Sequence, residues 1–275
     1  MKFKLPEMKK ERFKVLKAII VILVLILIVF SSCEKEDEGS PPQIPDISTF
    51  QMDFDDWPTH ADTVLKNLSA IQQTTYQNWL TGVVEVTIWN LAVAATMYLP
   101  VASFVESFNH EPVYHTDGKY WTWSYNFNYK GLHTAELRGY YIPDSVVWEM
   151  RVDNILAYEG KVHSDGKQGY WMLKRQLSDS YYWLQIDWQR ENETVGEIKY
   201  TNIVPTDSLY NGYIHYGATN GTLNRFYNIY KPIADKLVQI EWNYPDHQGR
   251  IKNEIVFQNQ EWHCWDELLR DVACE

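Results

Sequence analysis

The chain has 275 residues, 45% of them hydrophobic and 15% aromatic, with 36 acidic side chains against 25 basic ones and a net charge of −11. A phosphate backbone would be repelled by that balance, and no cluster of Lys and Arg interrupts the acidity beyond the amino-terminal segment, so nucleic acid is excluded as a partner. The length suits one large domain with a sizeable core.

Residues 1–17 carry Lys2, Lys4, Lys9, Lys10, Arg12, Lys14 and Lys17 against Glu7 and Glu11, and an unbroken apolar run follows from Ala18 to Phe30. The run is shorter than the ~20 residues that span a bilayer as a helix. A basic flank, a short apolar run and the small residues Ser31 and Ser32 make the pattern of a secretory signal. The competing reading is an uncleaved signal anchor, with Val15, Leu16 and Cys33 lengthening the helix. Val29-Phe30-Ser31-Ser32-Cys33 resembles a bacterial lipobox, with Phe30 where a leucine is usual. Glu34-Lys35-Glu36-Asp37-Glu38 resembles the acidic export tag of Bacteroidota surface lipoproteins.

That resemblance covers the first 38 residues. It implies a signal peptide over 1–32, lipidation (diacylglyceryl and palmitate-type chains) at Cys33, and an outer-membrane lipoprotein facing the periplasm or the cell surface. Two or three acyl chains hold a protein stably where one does not. Losing seven basic and two acidic residues would take the net charge from −11 to −16. Residues 33–52, rich in charge, Pro and Gly, read as a flexible tether that buries too little to fold. Residues 53–275 read as a single domain.

The domain opens with helical signals. Val64, Leu65, Leu68 and Ile71 recur at near-helical spacing, with Tyr76, Trp79 and Leu80 continuing the series. From Val83 to Phe108 the chain is apolar almost all round, as the central helix of a soluble fold can be, and Pro100 is expected to kink it. Glu85 and Asn90 argue against a membrane span, while the β-branched run Val83–Ile88 leaves a strand open there.

After Pro112 the period becomes two. Trp121, Trp123, Tyr125, Phe127 and Tyr129 alternate with polar residues, and the pattern returns at Val146–Val152, Leu184–Trp188 and Val238–Trp242. Further strands are expected at 132–142, 156–163, 168–176, 195–203, 209–217, 222–230 and 250–258. Asp117-Gly118, Asp165-Gly166, Asn211-Gly212 and Asn220-Gly221 supply the turns. Some eleven strands with no βαβ spacing predict a mainly β (α+β) fold: a long curved antiparallel meander or half-barrel packed on the amino-terminal helices. The outline resembles the half-barrel with helical lid of periplasmic lipoprotein carriers and related lipid-binding domains. Trp262 to Cys274 reads as a short helix pinned by a Cys264–Cys274 disulfide, the pairing expected in an oxidising compartment.

No nucleophile elbow, zinc-protease motif, P-loop or dinucleotide fingerprint occurs, and no cofactor is expected. His110 and His115 flank Glu111 at a spacing that can ligate metal, but no further ligand accompanies them. Glu136, Glu149 and Glu159 could pair as glycosidase carboxylates, which keeps a carbohydrate-active hydrolase as the alternative to a binding protein. A third reading is a structural component of an envelope complex. Adjacent aromatics such as Tyr140-Tyr141 and Tyr181-Tyr182-Trp183 cannot all face one core, because neighbours in a strand point to opposite faces. Tyr141, Trp171, Tyr181 and Trp183 are therefore the candidate ligand-binding residues, for an apolar or glycan ligand or a partner protein. Asp62-Thr63-Val64, Asp144-Ser145-Val146 and Asp207-Ser208-Leu209 resemble the sequence at which Bacteroidota O-glycosylate exported proteins, with Thr63, Ser145 and Ser208 as acceptors.

Overall fold

The computed structural model of the protein describes residues 39–51, 75–192 and 195–274, with only the backbone for 94–96. Among these described residues the two-residue period is realised as fourteen strands. Cys33 and Thr63, and the helical series around Val64–Ile71, lie outside the described residues. From Pro41 onward the described chain belongs to one unit.

The strands are β1 (Val113–His115), β2 (Tyr120–Asn128), β3 (Leu132–Ile142), β4 (Ser145–Val152), β5 (Ile155–His163), β6 (Gln168–Leu173) and β7 (Leu184–Arg190). They continue with β8 (Gly196–Asn202), β9 (Tyr213–Ala218), β10 (Arg225–Lys231), β11 (Lys236–Trp242), β12 (Gly249–Lys252), β13 (His263–Trp265) and β14 (Asp271–Val272). Each pairs antiparallel with the next, in sequence order throughout, so the sheet is an open meander with β1 and β14 at its edges. Trp148, Met150 and Val152 of β4, and Leu184, Ile186 and Trp188 of β7, point inward, while their neighbours stay half-exposed or exposed. That alternation is the burial pattern a one-sided sheet requires.

Large inward rings need room opposite them. Gly160 stands across from both Trp148 and Trp171, and a Cβ there would come within 2.2 Å of the Trp171 ring. Gly249 stands in the same relation to Trp242 and Trp265. Glycine at these positions admits an indole from a neighbouring strand.

Helix α1 (Gln77–Ser107) replaces the strand left open at Val83–Ile88. Its two parts, Gln77–Val93 and Met97–Ser107, meet at 60°, just before Pro100, whose ring displaces the carbonyl four residues earlier. Among the described residues no single helix is long and apolar enough to cross a membrane; the two parts of α1 pass that test only together. The first turn is held by β14: the Asp271 carboxylate accepts the backbone N–H groups of Gln77 and Asn78 at 3.1 and 3.0 Å, a favourable placement for negative charge. The second part is held by β2 and β5, through the Tyr125 hydroxyl donating to the Ser103 carbonyl at 2.5 Å and the Tyr158 hydroxyl donating to that of Pro100 at 3.4 Å. Strands near both edges of the sheet thus pack on one helix, which closes the trough that the open sheet leaves.

Three expectations are corrected. Residues 41–51 are not tether. Phe50 is fully buried, with its ring centroid 4.4 Å from that of Trp171 and 4.8 Å from that of Phe104, and its carbonyl accepts the Tyr200 hydroxyl at 2.8 Å. A short 3-10 helix, Ile47–Thr49, capped by Asp46, leads into this plug. The expected strand 250–258 breaks after β12, because the Asn253 side chain caps helix α2 (Glu254–Phe257). Residues 262–274 form the hairpin β13–β14 rather than a helix, clamped by the expected disulfide between Cys264 and Cys274. Closing that ten-residue loop stabilises by roughly 2.5–3 kcal/mol on the chain-entropy estimate.

Candidate apolar binding site

Antiparallel pairing sends alternate connections to opposite ends of the sheet. Six of them (129–131, 153–154, 174–183, 203–212, 232–235 and 253–262) lie at one end, the mouth. A cavity of about 340 Å³ opens there between α1 and the ends of β7 to β10. Helix α1 contributes Trp89, Ala92 and Val93 from just before its bend. The sheet contributes Leu184, Tyr200 and Ile214, and the connections add Trp183, Leu209, Gly212 and Pro232–Ala234. The volume falls at the lower end of small-ligand sites, and the lining is predominantly apolar, as such sites are.

Its main polar side chains are engaged with the protein. The Asn202 amide donates to Asp207 at 3.1 Å and its oxygen accepts the Val204 N–H at 3.0 Å. The Lys231 ammonium donates to Glu85 at 2.7 Å, and the same carboxylate oxygen accepts the Asn253 amide at 3.0 Å. The Tyr200 hydroxyl also meets that of Tyr216 at 3.2 Å, and burial pushes its pKa upward. The exception is the Trp89 indole N–H, which is buried with no hydrogen-bond partner among the described residues. With the charged and amide groups paired, the wall favours hydrocarbon over polar ligand groups.

The four candidates named from the sequence are not brought together here. Trp183 lines the cavity. Trp171 is sealed in the core, stacked on Phe50 with its indole N–H donating to Thr49 at 3.2 Å; it packs the trough and meets no solvent. Tyr181 is exposed in the 174–183 connection. Tyr141 is exposed at the opposite end, beside Pro41–Asp46 where the amino-terminal segment enters. Ser145 is buried, which leaves little surface for a glycan, whereas Ser208 is exposed in the 203–212 connection.

Other candidate chemistry lies away from this cavity. Glu149 and Glu159 face each other across β4 and β5 on the outer side of the sheet, and Glu136 lies opposite Arg151 while bonding Arg138. The Tyr140 hydroxyl donates to Glu149 at 3.1 Å, and its pKa is pushed up to about 12 by burial first and that carboxylate second. None of the three glutamates lines the apolar cavity. His110 stacks on Tyr125 and bonds Glu106, while His115 bonds Thr122; among the described residues no group of side chains could hold a metal ion.

The outer face carries a second, wider groove of about 520 Å³ across the row Lys161–Tyr170–Asp187–Lys199–His215. Its carboxylates are engaged within the sheet: Glu197 lies 3.2 Å from His215 and accepts the Gln189 amide, and Asp187 accepts the Gln185 amide. Desolvation lowers the His215 pKa, against the pull of Glu197. This groove is half polar and open, and lacks the enclosure of the mouth cavity.

Trp89, Ala92, Leu209 and Ile233 were not singled out from the sequence. The available signal was the turn Pro232-Ile233-Ala234-Asp235, where an exposed isoleucine stands among turn residues. Comparison of the chain with protein-family models, with curated proteins and with solved structures returned no match in any of the three.

Proposed function

We propose that this protein is a lipid-anchored envelope lipoprotein, held by Cys33, whose folded unit binds the hydrocarbon part of an apolar ligand at the mouth without catalysing a reaction on it. One observation carries the reading: an apolar cavity framed by α1 and four strands, whose main polar side chains are already paired. The lipobox-like sequence supports the anchorage and the outer-membrane address. Glu149 and Glu159 stand side by side on the outer face of adjacent strands rather than on opposite walls of a cleft, and give no comparable support to a hydrolase.

The test is native mass spectrometry of the full chain extracted from membranes. The expected result is a polypeptide that begins at acylated Cys33 and carries a non-covalent apolar ligand, which Ala234→Trp, filling the cavity from its rim, removes. An unprocessed chain contradicts the anchorage, and a wild-type chain that never carries ligand contradicts the binding function.

A further inference from the structure

The exposed apolar side chains of this fold are distributed unevenly between its ends. All six connections at the mouth present at least one at or beside the turn: Leu132, Ile155, Tyr181, Leu209, Ile233 and Ile255. Two of them are extreme, with Ile233 75% and Leu132 73% exposed. Among the described residues of the seven connections at the other end, only Tyr244 and Leu268 are comparable, with Tyr141 and Val272 just inside their strands. Hairpin tips are ordinarily polar, because turn chemistry favours Gly, Asn, Asp and Ser. An apolar tip repeated on every connection of one end is a surface feature that folding does not require.

We infer that the mouth docks on a lipid bilayer, its six apolar tips entering the interface and bringing the cavity into contact with the hydrocarbon layer. This deepens the binding function proposed above and rests on it. Two features favour a bilayer over a protein partner. The tips stand on separate loops with polar backbone between them, which suits a fluid apolar phase that can close around each one, as interfacial side chains do. Two of the tips, Leu209 and Ile233, also line the open cavity of about 340 Å³. A rigid protein surface laid across it would enclose an unfilled apolar void, whereas an acyl chain from the bilayer fills it. Lys130 and Lys174 flank the tips, and such side chains can keep their ammonium groups at headgroup level while their stems lie along apolar surface. A chain passing from bilayer to cavity by this route does not cross water.

The test uses the full-length protein reconstituted in phosphatidylcholine vesicles, with a nitroxide-bearing side chain placed at Ile233, at Leu132 or, as the control, at Leu268. Electron paramagnetic resonance compares collisions with lipid-soluble oxygen and with a water-soluble nickel chelate. The two mouth positions are expected to become rich in oxygen collisions and protected from nickel on vesicle addition, while Leu268 stays accessible to nickel. Mouth positions that remain as accessible as Leu268, or equal protection at all three, overturn the docking. Occupancy is read on the same preparations by native mass spectrometry. Ligand present with the mouth unprotected removes docking and leaves the binding function standing; protection without any ligand contradicts the binding function and leaves docking in place.

Discussion

At the residue scale, Glu85 is the group whose environment is most demanding. It sits on the inner side of α1 with its side chain almost wholly buried, and its charge is answered by Lys231 at 2.7 Å and Asn253 at 3.0 Å. Removing one partner of such a pair costs more than the pair contributes, because a desolvated charge is left behind. Lys231→Met is expected to destabilise by about 3 kcal/mol in urea denaturation, and adding Glu85→Leu should restore most of that loss. A single variant as stable as wild type would contradict the assignment. His133 offers a pH readout at the mouth. It contacts Asp153 through Nδ1 at 2.7 Å and the Tyr129 carbonyl through Nε2 at 2.9 Å, and donating to both requires the protonated ring. The Asp153 hydrogen bond accordingly holds the His133 pKa above its ordinary 6.5, while the same bond holds Asp153 below its ordinary 3.8. The histidine's contribution to stability is complete below pH 6.5 and is lost as pH rises through the raised value. The aspartate's is complete above pH 3.8 and is lost as pH falls through the lowered one. Titration by NMR should place His133 above 6.5, and Asp153→Asn should bring it down; an unchanged His133 would contradict the pairing.

At the element scale, the meander was legible because a one-sided sheet writes its burial into every second residue, as in Trp121–Tyr129, and because Asp165-Gly166 sits at a tight turn. The 41–51 plug was not legible. Its prolines read as linker, and the one residue that matters, Phe50, contributes through a pocket of Trp171, Phe104 and Tyr158 that exists only after folding. The face of α1 that turns inward was hidden for a related reason. Val84, Ile88 and Leu91 are exposed, whereas Trp79, Val86 and Met97 are buried, and a helix apolar on both sides carries no stripe to distinguish them. Strand geometry makes the sharpest element-scale prediction. In Gly160→Ala the added methyl meets the Trp171 ring and the Tyr170 carbonyl, the latter at 2.5 Å. Overpacking of this kind costs roughly 1–3 kcal/mol, whereas Gly221→Ala, with its nearest neighbour at 3.4 Å, should change stability little. Equal urea midpoints for the two variants would show that the indole does not occupy that space.

At the scale of the whole molecule, an open sheet of fourteen strands solves its burial problem by curling onto α1 and by accepting its own amino-terminal segment into the trough. The plug fills the centre and the entering segment lines a half-polar cavity of about 550 Å³ at the end that holds Tyr141, so the predominantly apolar cavity is the one at the mouth. Of the ligand-binding candidates named from sequence, Trp183 faces that space. It does so from the connection leading into β7 rather than from a strand, so alternation along a strand could single it out but could not place it. The remaining walls come from α1 and from connections far apart in the chain, and no local pattern announces their convergence. The measurement that tests the apolar site most directly is isotope-filtered NMR of the full chain with a ¹³C-labelled dodecyl amphiphile. Intermolecular contacts are expected from the chain carbons to the indoles of Trp89 and Trp183 and to the Ile214 methyls, all lost in Ala234→Trp. Contacts confined to Tyr170 and the outer groove, or no contacts at all, would contradict binding at the mouth.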